Sequence, residues 1–224
     1  MCIRDSVKAV KRALVVVDLP FGSYQSDPQE ALRSAIRIMK ESGAHAVKLE
    51  GGSEIGESID RIIKAGIPVM GHLGLVPRKS TWRGGLRAVG RTANEAMALM
   101  QDFRDLENAG AYAAEIEVVP HQLASFLSSK TSMILMSLGS GKGCDTQFLF
   151  SDDILGDYEE RIPRHAKAYR DFLSELNKLQ DERINAFKEY IKDVEDKKFP
   201  SPDNLISMDE NLLEESIKEI ESMD

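Results

Sequence analysis

The feature that most constrains this chain is an alternation. Six short apolar runs are separated by longer stretches with helical periodicity. The first run, Ala13–Asp18 (ALVVVD), is continuously apolar, as in a strand buried on both faces. Asp27-Pro28 then opens a helix, with proline at its first position. Ala31, Leu32, Ala35, Ile36, Ile38 and Met39 come next at helical spacing, and Gly43 closes it. Further strands are expected at His45–Leu49, Ile67–Gly71, Tyr112–Glu117, Ser132–Ser137 and Gln147–Phe150. Helices are expected at Ser53–Ala65, Ala93–Ala109 and Pro120–Ser129, with a Gly/Arg-rich loop over Leu73–Arg91.

This alternation builds right-handed βαβ units and a parallel sheet. A doubly wound sheet is one solution, but the first strand ends in Asp-Leu-Pro and not in a Gly-rich dinucleotide turn. Polar residues at the C-terminal end of strand after strand favour a (β/α)8 barrel of the TIM type, which places its chemistry there. Six strand signals, where a closed barrel needs about eight, predict an incomplete barrel lacking its first two strands. The gap is expected between Ala13–Asp18 and the last short strand. C-terminal helices are expected from Pro163 to about Asp196, and as an acidic tail over Asp209–Met223. Met1–Ser6 does not join naturally to the residues after it and reads as a non-native leader. The expected organisation is therefore a leader (1–6), one partial barrel domain (7–200) and an acidic tail (201–224).

Composition narrows the function. The net charge of −8 disfavours nucleic acid as a partner. No apolar run approaches the roughly 18–20 residues of a membrane span, and no secretory signal is visible. Cys2 and Cys144 give neither a disulfide framework nor zinc spacing, in keeping with a reducing cytoplasm. His45, His72, His121 and His165 do not pair at ligand spacing. A basic cluster (Arg78, Lys79, Arg83, Arg87, Arg91) reads either as a solvated loop or as a place for an anionic ligand.

The strand ends carry Asp18, then Lys48 and Glu50, then His72, then Glu115 and Glu117, then Gly139-Ser140-Gly141. Each alone has an ordinary structural explanation, such as a loop cap or an ion pair. Gathered at one barrel mouth, these acids with a lysine and a histidine suit a divalent metal and a keto acid. Lys48 and Glu50 are two apart on a strand and face the same side, as do Glu115 and Glu117. Two inward acids on one strand are costly unless they serve a cation or a proton transfer.

Several segments resemble the ketopantoate hydroxymethyltransferase family. They are Asp18-Leu-Pro-Phe-Gly-Ser-Tyr24, Val47-Lys-Leu-Glu-Gly-Gly52 and Gly71-His-Leu-Gly-Leu-Val-Pro77. Gly84-Gly-Leu-Arg-Ala-Val-Gly-Arg91, Glu117-Val-Val-Pro120, Gly139-Ser-Gly141, Asp145-Thr-Gln147 and Ile162-Pro-Arg-His-Ala-Lys167 continue in the family's order. The resemblance runs from about Ala13 to Phe199. It implies a Mg²⁺-assisted transfer of a hydroxymethyl group from 5,10-methylenetetrahydrofolate to 2-oxoisovalerate, giving ketopantoate. It also implies a cytoplasmic enzyme whose full-length form is a homo-oligomer. By motif, Asp18 is implied as a metal ligand and Glu50 as its support, Lys48 and His72 as holders of the keto acid, and Glu117 as the catalytic base.

The chain departs from the family pattern in places. It has no counterpart of the family's early Gly-Asp-Ser strand, which supplies a principal metal ligand, so little transfer activity is expected of the chain as given. Arg78 stands where the family has Gln, Leu86-Arg87 replaces Tyr-Lys, and Glu115 stands at a usually apolar position. Two other readings stay open: a keto-acid lyase or mutase on a similar barrel, as in phosphoenolpyruvate mutase and isocitrate lyase, and a non-catalytic divergent paralogue.

Overall fold

The computed structural model of the chain describes residues 3–82, 84–159 and 162–223. Met1 and Cys2 of the leader, and Arg83 of the basic cluster, lie outside the described residues. The strands are β1 (Val16–Asp18), β2 (Ala46–Glu50), β3 (Val69–Gly74), β4 (Ala113–Glu117), β5 (Ile134–Leu138) and β6 (Thr146–Gln147). They form one sheet in sequence order, and every neighbouring pair is parallel. The result is a curled half-barrel, an incomplete α/β barrel of the TIM type. Among the described residues β1 and β6 do not pair with each other, so the gap falls where the strand count placed it.

The helices between strands form for local reasons. Helix α1 covers Ile3–Ala9 and α2 covers Pro28–Ser42. The Asp27 carboxylate caps α2 by accepting from the Gln29 and Glu30 amides, and Gly43, at φ 73°, ends it. Helices α3 (Gly56–Lys64), α4 (Ala93–Asn108) and α5 (His121–Ser128) turn Ile59 and Ile62, Leu99, Phe103 and Leu106, and Ala124 and Leu127 onto the sheet. The opposing strand faces contribute Val47, Leu49, Val69, Ile116 and Leu135 to the same core. The centre of the sheet is the most deeply buried: all six residues of β3 are buried.

Several boundaries differ from expectation. β1 begins only at Val16, because the Val15 amide donates to Nδ1 of His45 (2.9 Å) and Leu14 is exposed. The third helix opens as a 3-10 turn over Ser53–Ile55 before α3 starts. β6 is Thr146–Gln147 and not Gln147–Phe150; a short helix not foreseen, α6 (Ser151–Leu155), comes after it. The helix expected from Pro163 starts at Phe172, where Asp171 caps α7 (Phe172–Glu195). The tail helix α8 is Glu210–Glu221, capped by Asp209.

The chain divides into two compact units. The first, Met1–Ile154 with Ile162–Lys167, holds the sheet. The second, Leu155–Arg161 with Ala168–Asp224, holds α7 and α8, neither of which buries a residue. No helix among the described residues is long and apolar enough to cross a membrane.

Candidate active site

Because the strands are parallel, their C-terminal ends share one side of the sheet. Asp18 ends β1, Lys48 and Glu50 close β2, His72 lies late in β3, and Glu115 and Glu117 close β4. The register sets Asp18 beside Lys48, Glu50 beside His72 and His72 beside Glu115. All five residues picked from the sequence therefore stand at one mouth.

Contacts link them in two strings that meet at Glu115. The Lys48 ammonium donates to Oε2 of Glu115 at 2.7 Å and lies 3.3 Å from Oδ1 of Asp18. Nε2 of His72 lies 3.0 Å from Oε2 of Glu117, 3.1 Å from the Leu75 carbonyl and 3.8 Å from Oε1 of Glu115. Both close neighbours of Nε2 are acceptors, so Nε2 carries the proton. Nδ1 is buried without a hydrogen-bond partner, 3.8 Å from Oε1 of Glu50. Burial of His72 works against its charged form, but the Glu117 hydrogen bond and the Glu115 and Glu117 charges outweigh it, so its pKa lies above the ordinary imidazole value. Lys48 obeys the same balance: burial opposes its charge, while Glu115 and then Asp18 hold its pKa above the usual lysine value.

The scaffold behind these side chains is tight. Tyr24, from the Asp18–Tyr24 segment, is 1% exposed, and its hydroxyl accepts from the Glu50 amide at 3.0 Å. Nη2 of Arg78 donates to the Glu50 carbonyl at 2.6 Å, and its Nε lies 3.3 Å from the Glu50 carboxylate. Gly74 is required: at φ 89°, any Cβ there would overlap the Glu117 carbonyl, which accepts from the Leu75 amide at 2.8 Å. Ser140, fully buried, ties down the turn after Glu117. Its hydroxyl donates to the Ile116 carbonyl (2.8 Å) and accepts from the Val119 amide (2.9 Å). Between them Val118 sits at φ 47°, a strained conformation for a β-branched residue.

Sequence reasoning gave no individual role to Tyr24 or Ser140, and paired Glu115 with Glu117 as inward acids suited to a cation or a proton transfer. Glu115 carried a signal, an acid in an otherwise apolar strand; Tyr24 and Ser140 become legible only through their contacts.

One group among the described residues, His72, Glu115 and Glu117, brings three ligand-type atoms within 4.8 Å of one another. The proton on Nε2 and the lysine on Glu115 make this a hydrogen-bond network. Asp18 and Glu50 offer carboxylate oxygens at the ends of adjacent strands, the donor type that a hard divalent cation takes.

A parallel half-barrel with this mouth defines an enzyme of the α/β-barrel class. The chain belongs to the ketopantoate hydroxymethyltransferase family, whose model matches residues 2–202. It is 50% identical over 197 residues to a 3-methyl-2-oxobutanoate hydroxymethyltransferase of Christiangramia forsetii, covering 88% of this chain and 70% of that protein. A protein of the same name from Flavobacterium johnsoniae is 49% identical over 195 residues, covering 87% and 69%. A solved structure from Burkholderia cenocepacia J2315 aligns with a TM-score of 0.48 at 13% identity, over 83% of this chain and 75% of that one.

Proposed function

We propose that the chain catalyses hydroxymethyl transfer from 5,10-methylenetetrahydrofolate to 2-oxoisovalerate, forming ketopantoate for pantothenate and coenzyme A synthesis. Family membership supports the reaction, and one observation carries the assignment of roles. The Glu117 carboxylate, 12% exposed, is held by His72 at 3.0 Å in the same mouth as a largely buried lysine.

Lys48 and His72 bind the anionic oxo acid and set its orientation. Glu117 takes the proton from the β-carbon, and the electron pair moves toward the keto carbonyl. That carbon attacks the folate methylene; both carbon–nitrogen bonds to the methylene break in turn, water supplies the hydroxyl oxygen, and the β-carbon proton and one proton of the water end on the two folate nitrogens. His72, already bound to Glu117, keeps the carboxylate aimed at the reacting carbon. Asp18 and Glu50 would hold Mg²⁺, which when bound supplies Lewis-acid stabilisation of charge on the keto oxygen.

Mg²⁺ demands near-octahedral oxygen coordination. Among the described residues Asp18 and Glu50 offer it two carboxylates, one beside Lys48 and the other beside Arg78. The cation is therefore bound weakly, and transfer by this chain is slow. The family pattern also supports a cytoplasmic enzyme that works as a homo-oligomer. The test is to incubate the purified chain with both substrates and excess Mg²⁺ and to monitor products by NMR. Slow, Mg²⁺-dependent ketopantoate formation is expected. Cleavage of a carbon–carbon bond in an oxo acid would instead favour the lyase reading, and no chemistry at all the non-catalytic one.

A further inference from the structure

We infer that Glu115 is a positioning residue, which fixes Lys48 from below and so leaves Asp18 free to bind a cation. The inference rests on the proposed function for what Lys48 and Asp18 do, and on geometry for the division of labour. Lys48 touches two carboxylates that differ in every physical respect. Glu115 lies at 2.7 Å with a side chain 2% exposed; Asp18 lies at 3.3 Å with a side chain 65% exposed. The Asp18 carboxylate, exposed and at the longer distance, is screened by water, which weakens its hold on the lysine. A buried pair at hydrogen-bond distance is held firmly, because breaking it strands a charge in the interior.

The neighbours reinforce this reading. Glu115 stands in the middle of β4, flanked by β3 and β5, so its backbone has no freedom to move with the lysine. Its second oxygen faces His72 Nε2 at 3.8 Å. Glu115 thus sits between the lysine and the histidine that the proposed function assigns to the oxo acid. The ring of Phe148, 5.9 Å from the ammonium, bounds it on another side. Asp18 ends an edge strand of three residues and has no such confinement. When a cation draws Asp18 away, Lys48 stays in place. Without Glu115 the two groups would compete for each other, and cation binding would release the lysine.

The test is an NMR experiment on the whole 224-residue chain. A lysine ammonium gives its own ¹H–¹⁵N signal when burial and a firm acceptor slow its exchange with water. The Lys48 signal is assigned by its loss in Lys48→Met. It should be present in the parent, lost in Glu115→Met, which keeps the length but removes the acceptor, and retained in Asp18→Ala. Absence of the signal in the parent, or its loss in Asp18→Ala, overturns the inference. If Glu115→Met does not fold, the pair is read from the other side. Lys48→Met should then shift the Glu115 carboxyl ¹³C resonance more than that of Asp18, and the reverse order overturns the claim. Adding 2-oxoisovalerate with Mg²⁺ to the parent should perturb the Lys48 signal. A well-held Lys48 that the oxo acid leaves untouched contradicts the proposed function while leaving the positioning role of Glu115 intact.

Discussion

The centre and the edge of this sheet are built differently. On β3 and β4, His72 and Glu115 are each 2% exposed and locked by neighbours on both sides. At the edge, β1 has three residues, and its functional carboxylate points largely into water. The groups assigned to the oxo acid and its proton are thus held in place, as is Glu50 on β2, while Asp18, the other carboxylate assigned to the cation, is not. Burial of these side chains tracks the number of flanking strands.

The contrast can be broken by core substitution. Ile116→Ala, at a fully buried β4 position, should cost about 2–5 kcal/mol, read from urea unfolding. Val16→Ala on β1 should cost about 1 kcal/mol or less, being only partly buried. Equal costs would remove the distinction between centre and edge.

Charge removal sharpens it. Glu115→Ala leaves the largely buried Lys48 with only the exposed Asp18 at 3.3 Å, and should cost about 3 kcal/mol. The double change Glu115→Met with Lys48→Met should recover most of that loss, since an apolar pair of similar volume is tolerated in the interior. Asp18→Ala should cost less than about 1 kcal/mol. A larger effect from Asp18 than from Glu115 would invert the account.

The smallest expected effect is a pH dependence. The His72 pKa is raised in the folded chain, so its contribution to stability is full below the unfolded imidazole pKa. It is lost as pH rises through the folded value. The urea midpoint should therefore carry a component that falls as pH rises above the unfolded imidazole pKa of about 6.5, and His72→Asn should flatten it. An unchanged slope in the variant would place the charge coupling elsewhere.

Much of this was legible in the sequence because the strands are buried on both faces. Continuous apolar runs such as Val47 and Leu49 around Lys48 announce β2, and polar residues at the run ends announce the mouth. The edges were harder. Leu14 is as apolar as its neighbours but is 57% exposed, and the next amide, that of Val15, donates to the side chain of His45. Periodicity cannot foresee a side chain competing with the ladder. For the same reason Pro163–Asp171 read as helix, although the chain waits for the Asp171 cap to begin α7. In the site, residue type found Lys48, His72 and Glu117. Which carboxylate holds the lysine depends on distances across strands far apart in sequence.

The most direct test of the central claim is exchange of the β-carbon hydrogen of 2-oxoisovalerate for deuterium, without folate and with rising Mg²⁺. The preformed centre predicts that Glu117 removes this proton. On the proposed function, a cation held by Asp18 and Glu50 alone predicts slower exchange at low Mg²⁺ than by the Christiangramia forsetii relative. Exchange should rise with Mg²⁺ and vanish in Glu117→Gln. Exchange that survives Glu117→Gln, or that already matches the relative's rate at low Mg²⁺, would contradict the account.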